Sequence, residues 1–159
     1  MAQNEESDAL KELRRRLEAE SNDGLQLLRD VADNPVCSIS LDETIPCVVV
    51  TWKQYATSTQ LRYVHENIIR LLEQHRVSKI LGDDTGLATI HTEDQKWIVG
   101  NWMPRAMASG LRAAASKSPS SYFGKVSVDE VQAAAPAGLA LRSFADMEEA
   151  RQWLKSQSA

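Results

Sequence analysis

Four consecutive residues carry most of the reactive chemistry in this chain: Asp83, Asp84, Thr85 and Gly86, within ILGDDTGLATIH, followed by His91. An apolar run ends on them, which places them where a strand gives way to a loop. Such a group suits a reaction site, a phosphate switch or a turn. Two carboxylates and a hydroxyl could support a metal-assisted or aspartyl-phosphate hydrolysis, with Asp83 as nucleophile or Mg²⁺ ligand. Aspartate and glycine equally make turns, by bonding their own backbone and by tolerating positive φ. An enzyme needs a base, a nucleophile and a charge-stabilising group together. No glycine-rich phosphate loop, G-x-S-x-G, H-E-x-x-H or Cys/His pairing accompanies the cluster. The sequence therefore reads as non-catalytic and without a cofactor. His91 reads as a loop residue ahead of a helix cap.

Other residues invite a binding role. Trp97 and Trp102 are five apart, so on an α-helix they point about 140° from each other. Trp102, followed by Met103 and Pro104, is the candidate for an exposed aromatic in a partner groove. Ala113-Ala114-Ala115 falls where a strand is expected. Either aromatics such as Trp97, Tyr122 and Phe123 fill the volume that alanine leaves, or a pocket remains. Ala113, Ala115, Trp97 and Phe123 are thus the candidate lining of an apolar ligand pocket between the sheet and the 119–135 segment. Cys37 and Cys47 flank a turn and could face each other, yet free cysteine packs as a small hydrophobe. The three histidines have no partners at ligand spacing, so no metal is expected.

The elements that must position these residues follow from periodicity. Leu10, Leu13 and Leu17 form a leucine stripe behind Ser7, SNDG breaks it, and Leu25, Leu28 and Val31 suggest a second short helix before Pro35. VCSISL then alternates, DETIP turns and CVVVTW is a strand, together a hairpin. Thr57 and Gln60 have capping-box spacing ahead of Leu61, Val64, Ile68, Leu71 and Leu72, a helix to about Arg76. SKILGD is a short strand, parallel if the helix is a crossover. Thr92 with Gln95 reads as the next cap, starting a helix at Glu93. LRAAASK is a strand. Pro119 opens another helical stretch, with Ser127 and Glu130 at capping-box spacing. LALRSF is the last strand, and DMEEARQWLKS the last helix, with Met147, Ala150, Trp153 and Leu154 inward.

The expectation is an α/β domain over 36–159, a mixed, mostly parallel sheet of four to five strands with packed helices, preceded by a helical N-terminal arm over 1–35. The 159 residues suit one core. The net charge of −4 lies in residues 1–35, with nine acidic and five basic side chains, while the rest is balanced. That distribution argues against nucleic acid. No apolar run is long enough for a membrane span, and no secretory signal begins the chain, so the expected location is cytoplasmic.

With these elements laid out, IPCVVVTWKQYATSTQ, SKILGDD with HTEDQKWIVGNWMPRAMASGL, and RSFADMEEARQWL resemble the STAS/SEC14-like (SpoIIAA-like) domains of small bacterial proteins. The resemblance covers roughly residues 36–155. It implies a regulatory module related to anti-sigma-factor antagonists and, more distantly, to lipid-carrying SEC14 domains. In the antagonists the corresponding loop holds an aspartate, two serines and a glycine, the second serine being phosphorylated. Asp83, Asp84, Thr85 and Gly86 stand in line with it, which makes Thr85 the candidate phospho-acceptor and the others its switch loop. Asp84 replaces the first serine, and the helix starts later than in that pattern.

The function expected is a non-catalytic cytosolic module acting through protein–protein contacts, with Leu10, Leu13 and Leu17 mediating a homodimer. The alternative is a small-molecule or lipid-binding protein with an apolar pocket beside the sheet. The phosphoswitched antagonist is the third reading.

Overall fold

The computed structural model describes residues 26–158. Six strands form one sheet in the order β1 to β6, each lying beside its sequence neighbours. They are β1 (Gln26–Arg29), β2 (Pro35–Asp42), β3 (Cys47–Trp52), β4 (Lys79–Asp83), β5 (Ala113–Lys117) and β6 (Ala140–Phe144). The first two pairings are antiparallel and the last three parallel. Helix α1 (Ser58–His75), the helical run α2 over 92–108 and helix α3 (Tyr122–Ala133) are the three crossovers, and α4 (Met147–Ser156) ends the described chain.

Each crossover moves one place along the sheet in the same direction. Parallel crossovers are right-handed almost without exception, so all three helices must fall on one face. The packing agrees. Leu61 and Ile68 of α1, Ile98, Trp102 and Met103 of α2 and Val128 of α3 share a core with Ile39, Val48, Val50 and Ile80. Ala150 and Leu154 of α4 pack on the other face with Cys47, Leu81, Ala113 and Ala115. A sheet buried on both faces is what the unbroken apolar run CVVVTW requires.

The expected hairpin is present, with Cys37, Ile39 and Leu41 opposite Trp52, Val50 and Val48. The Thr57–Gln60 capping box is present in both directions. Arg76 ends α1 in the left-handed region, at φ 53°.

Several expectations need correction. The sheet has six strands, one more than the widest expectation, because 26–29 is a strand and not a second helix. Leu28 is wholly buried in the core while Val31 is exposed. The decisive signal is DVADN, which closes a hairpin: Asp30 Oδ1 accepts the N–H groups of Ala32 and Asn34, and Asp33 sits at φ 67°. The sheet therefore includes residues before 36. Leu10, Leu13, Leu17 and Leu25 lie outside the described residues.

Cys37 and Cys47 do not face each other. Cys37 pairs with Trp52 in register and Cys47 with Asp42, and both are free and buried, on opposite faces of the sheet. Burial raises both thiols, Cys47 to about 11, so neither is a ready nucleophile.

Two capping assignments also change. Thr92 is the first helical residue, its N-cap His91 makes no side-chain cap bond, and Gln95 instead donates to the Ile90 carbonyl at 2.8 Å. Ser121 caps α3 by accepting the Gly124 N–H, and Ser127 sits inside the helix. From there Ser127 accepts the Ile90 N–H at 3.1 Å, tying α3 to the loop after β4.

The start of α2 is pinned to α1 by Asp94, whose side chain is 4% exposed. It accepts from the Ser58 hydroxyl at 2.6 Å and from Arg62 Nε at 3.2 Å. Asp94→Ala strips both donors of their acceptor and is expected to lower stability by about 2 kcal/mol. The urea midpoint at pH 7 checks this, and a shift below a tenth of that size would contradict it.

Candidate functional site

The strand end at Asp83 divides the two aspartates. Alternation turns Asp83 toward the α4 side, as Leu81 is, and Asp84 follows beyond the strand. Asp83 Oδ1 accepts both the Thr85 N–H, at 3.0 Å, and the Thr85 hydroxyl, at 2.6 Å. The Thr85 carbonyl accepts from Ser120 N–H at 3.2 Å. Thr85 is thus half-buried, with its hydroxyl turned onto a carboxylate. His91, whose Nε2 lies 2.9 Å from the Tyr55 hydroxyl, bonds outside this group.

Gly86 is needed for a close approach. A Cβ there would lie 2.6 Å from the Trp52 carbonyl oxygen and 2.7 Å from the Lys53 carbonyl. The loop therefore lies directly on the end of β3, and positive φ is not the reason for the glycine.

Asp84 belongs to a different environment. It lines a cavity of about 160 Å³ between the sheet and helices α1, α2 and α3. Val50, Ile80 and Leu141 supply apolar wall from the strands, and Leu61, Ile98 and Val128 from the helices. Gly82 leaves the floor without a side chain beside Asp84. Asp84 keeps some accessible surface and is one of the residues that line the cavity. Burial pushes its carboxyl up to about 7; the neighbouring Ser116 hydroxyl pulls the other way, and the charge of Asp83 adds to the rise.

A polar thread runs from Ser116 to α3. Gln132 Nε2 donates to Ser143 Oγ at 2.6 Å, and Ser143 Oγ lies 3.1 Å from Ser116 Oγ.

His65 of α1 stands in the same wall. Its Nδ1 is 2.8 Å from the Leu61 carbonyl, which can only accept, so Nδ1 carries the proton and Nε2 is left as an acceptor. Burial holds its pKa down at about 4, against the opposing pull of the Leu61 carbonyl, Glu66 and Asp94. Three tryptophans surround the ring: Trp102 at 4.8 Å, Trp97 at 6.0 Å and Trp52 at 6.2 Å between centroids.

That both Trp97 and Trp102 reach one histidine contradicts the 140° separation expected of an α-helix. The run α2 contains a π-helical turn, Ile98–Trp102, in which the Met103 N–H bonds the Ile98 carbonyl. The extra residue in that turn brings side chains five apart toward one side. Trp102 is accordingly buried, at 5% exposure, with its indole N–H donating to the His65 carbonyl at 2.7 Å. It is a wall residue of the cavity and not a surface anchor. Trp97 is the marginal one, half-buried under the guanidinium groups of Arg62 and Arg105.

The pocket candidates divide. Ala115 touches the cavity and Ala114, not singled out as lining, is part of its wall. Ala113 faces α4. Phe123 is 67% exposed and Tyr122 73%, so neither fills the volume beside the alanines. Their positions fall on the outer side of α3, whose inward residues are Gly124, Ser127 and Val128. Gly124 lets that helix close in, since a Cβ there would meet the Leu87 carbonyl at 2.6 Å.

Sequence reasoning missed His65, Ser116 and Gln132. His65 had a signal, lying four residues after Leu61 and three before Ile68 on the buried stripe. Ser116 and Gln132 had none, because their part depends on which strands become neighbours. Among the described residues no group of three or more potential metal ligands occurs. A scan against protein-family models matches none, and a search of curated proteins finds none that matches.

Proposed function

We propose that this protein is a non-catalytic, cytoplasmic regulatory module of STAS/SEC14-like type that binds a small molecule in the cavity between its sheet and α1–α3. The observation that carries this is a largely apolar cavity of about 160 Å³ with one carboxyl and one histidine in its wall. Ligand sites in α/β sheets favour the carboxyl ends of parallel strands, and Asp84 follows the end of β4. The mixed sheet with packed helices supports the STAS/SEC14-like reading of the fold. Among the described residues no helix is long and apolar enough to cross a membrane. Self-association through Leu10, Leu13 and Leu17 remains part of the proposal. Light scattering on a chain lacking residues 1–25 tests it, and an unchanged mass rejects it.

A cavity of this size is comparable with an engineered one of about 150 Å³ that admits benzene. Toluene or indole should therefore raise the melting temperature saturably and perturb the indole N–H resonance of Trp102. Ala114→Leu, which places a larger side chain in the wall, should abolish both responses without lowering the melting temperature by more than a few degrees. Absence of any response in the unmodified protein rejects the pocket.

A further inference from the structure

We infer that the ligand is a small protonated amine, an ammonium group on a body of about one ring, held by the Asp84 carboxylate. This rests on the small-molecule reading above and names the class of molecule.

The argument begins with charge. Among the described residues, the wall of the cavity contains no lysine or arginine, and its titratable members are Asp84 and His65. The groups that face Asp84 do not supply a cation either. Its own loop brings Asp83, which repels, and β5 brings the Ser116 hydroxyl. To the wall of the same cavity helix α3 brings Gln132, and α2 brings Ile98, Trp102 and Met103. From β2 comes Cys37, whose thiol feels both Asp84 and Lys53 and stays protonated. His65 is held neutral by its burial. A buried carboxyl either keeps its proton or is paired, and above its raised pKa, where Asp84 is charged, the partner arrives with the ligand.

The rest of the wall fits the same guest. Trp52 and Trp102 line the cavity, and indole rings attract an ammonium group. His65 Nε2 offers a second acceptor for a donor-rich head. The apolar strand and helix residues suit the body. A volume of about 160 Å³ lies below the roughly 300 Å³ at which drug-sized sites begin, so a long acyl chain or a nucleotide is too large. A carboxylate or phosphate head would meet Asp84 with the same sign of charge.

Four probes with one ring in common test this on the full chain: benzylamine, benzyl alcohol, toluene and benzoate. Affinities are read at pH 8 by calorimetry and by the Trp102 indole resonance. Benzylamine is expected to bind at least tenfold tighter than benzyl alcohol, with benzoate weakest. In Asp84→Asn the benzylamine advantage should vanish while toluene keeps its affinity. Lowering the pH from 8 to 5 should weaken benzylamine at least tenfold in the unmodified protein and leave the variant unchanged. Benzyl alcohol or benzoate binding as tightly as benzylamine would overturn the amine assignment and leave the pocket standing. Failure of all four to bind would remove the pocket, and this inference with it.

Discussion

Asp84→Asn is expected to give a protein whose stability climbs by about 3 kcal/mol between pH 4 and 6.5, relative to the unmodified chain over the same interval. His65→Gln should give the mirror image, a relative fall of similar size. The reason is a proton exchange between two wall residues. Asp84 has its carboxyl raised from 3.8 to about 7 in the folded protein, and His65 is lowered from 6.5 to about 4. Between pH 4 and 6.5 the unfolded chain holds one proton on this pair, on the histidine. The folded chain also holds one, on the aspartate. Equal proton numbers mean that the pair contributes no slope there. With Asp84 replaced, only the unfolded state binds the remaining proton, so stability rises with pH by about 1.4 kcal/mol per unit. With His65 replaced, only the folded state binds it, and stability falls. Urea titrations at half-unit pH intervals decide the matter. Parallel profiles for the two variants would show that the groups are not enclosed as described.

The second large effect belongs to the loop. Gly86→Ala should cost about 3 kcal/mol or more, since its Cβ would press within 2.7 Å of rigid backbone at Trp52 and Lys53. No flexible side-chain end is available to yield. Relief requires the 84–87 turn to lift from β3, which moves the Leu87 N–H from the Asp84 carbonyl it bonds at 2.9 Å. Besides the lower urea midpoint, amide exchange at Leu87 should speed up. By contrast Gly100→Ala, with open space around its Cβ, should leave stability unchanged or slightly raised. Equal effects at the two glycines would refute the close-approach argument.

The parts of this architecture that announce themselves in sequence are those governed by short-range rules. The hairpin around DETIP, the Thr57 cap and the α4 stripe of Met147, Ala150, Trp153 and Leu154 are each written within a dozen residues. Even the alanine strand is readable, from the alternation around it. What escapes is set by neighbours distant along the chain. A four-residue strand such as Gln26–Arg29 has too few positions to distinguish a period of two from one of 3.6, and only pairing with β2 settles it. The π-helical turn is invisible in IVGNW, yet it moves Trp102 from a surface candidate into the cavity wall. The Asp-Asp pair looked like one cluster because its members are adjacent. A strand end separates their surroundings, so that Asp83 closes a turn while Asp84 joins groups from three other elements.

The unbroken strand order, from β1 at one edge to β6 at the other, bears on how the chain matures. Every strand finds its neighbour immediately behind it in the sequence, so a nascent chain can extend the sheet in the direction of synthesis without waiting for distant segments. Among the described elements only α4 reverses that progression, reaching back over β4 and β5 to cover Leu81, Ala113 and Ala115. Until α4 docks, Leu81, Ala113 and Ala115 lack the Ala150 and Leu154 side chains that pack on them, and that face of the sheet stays adhesive.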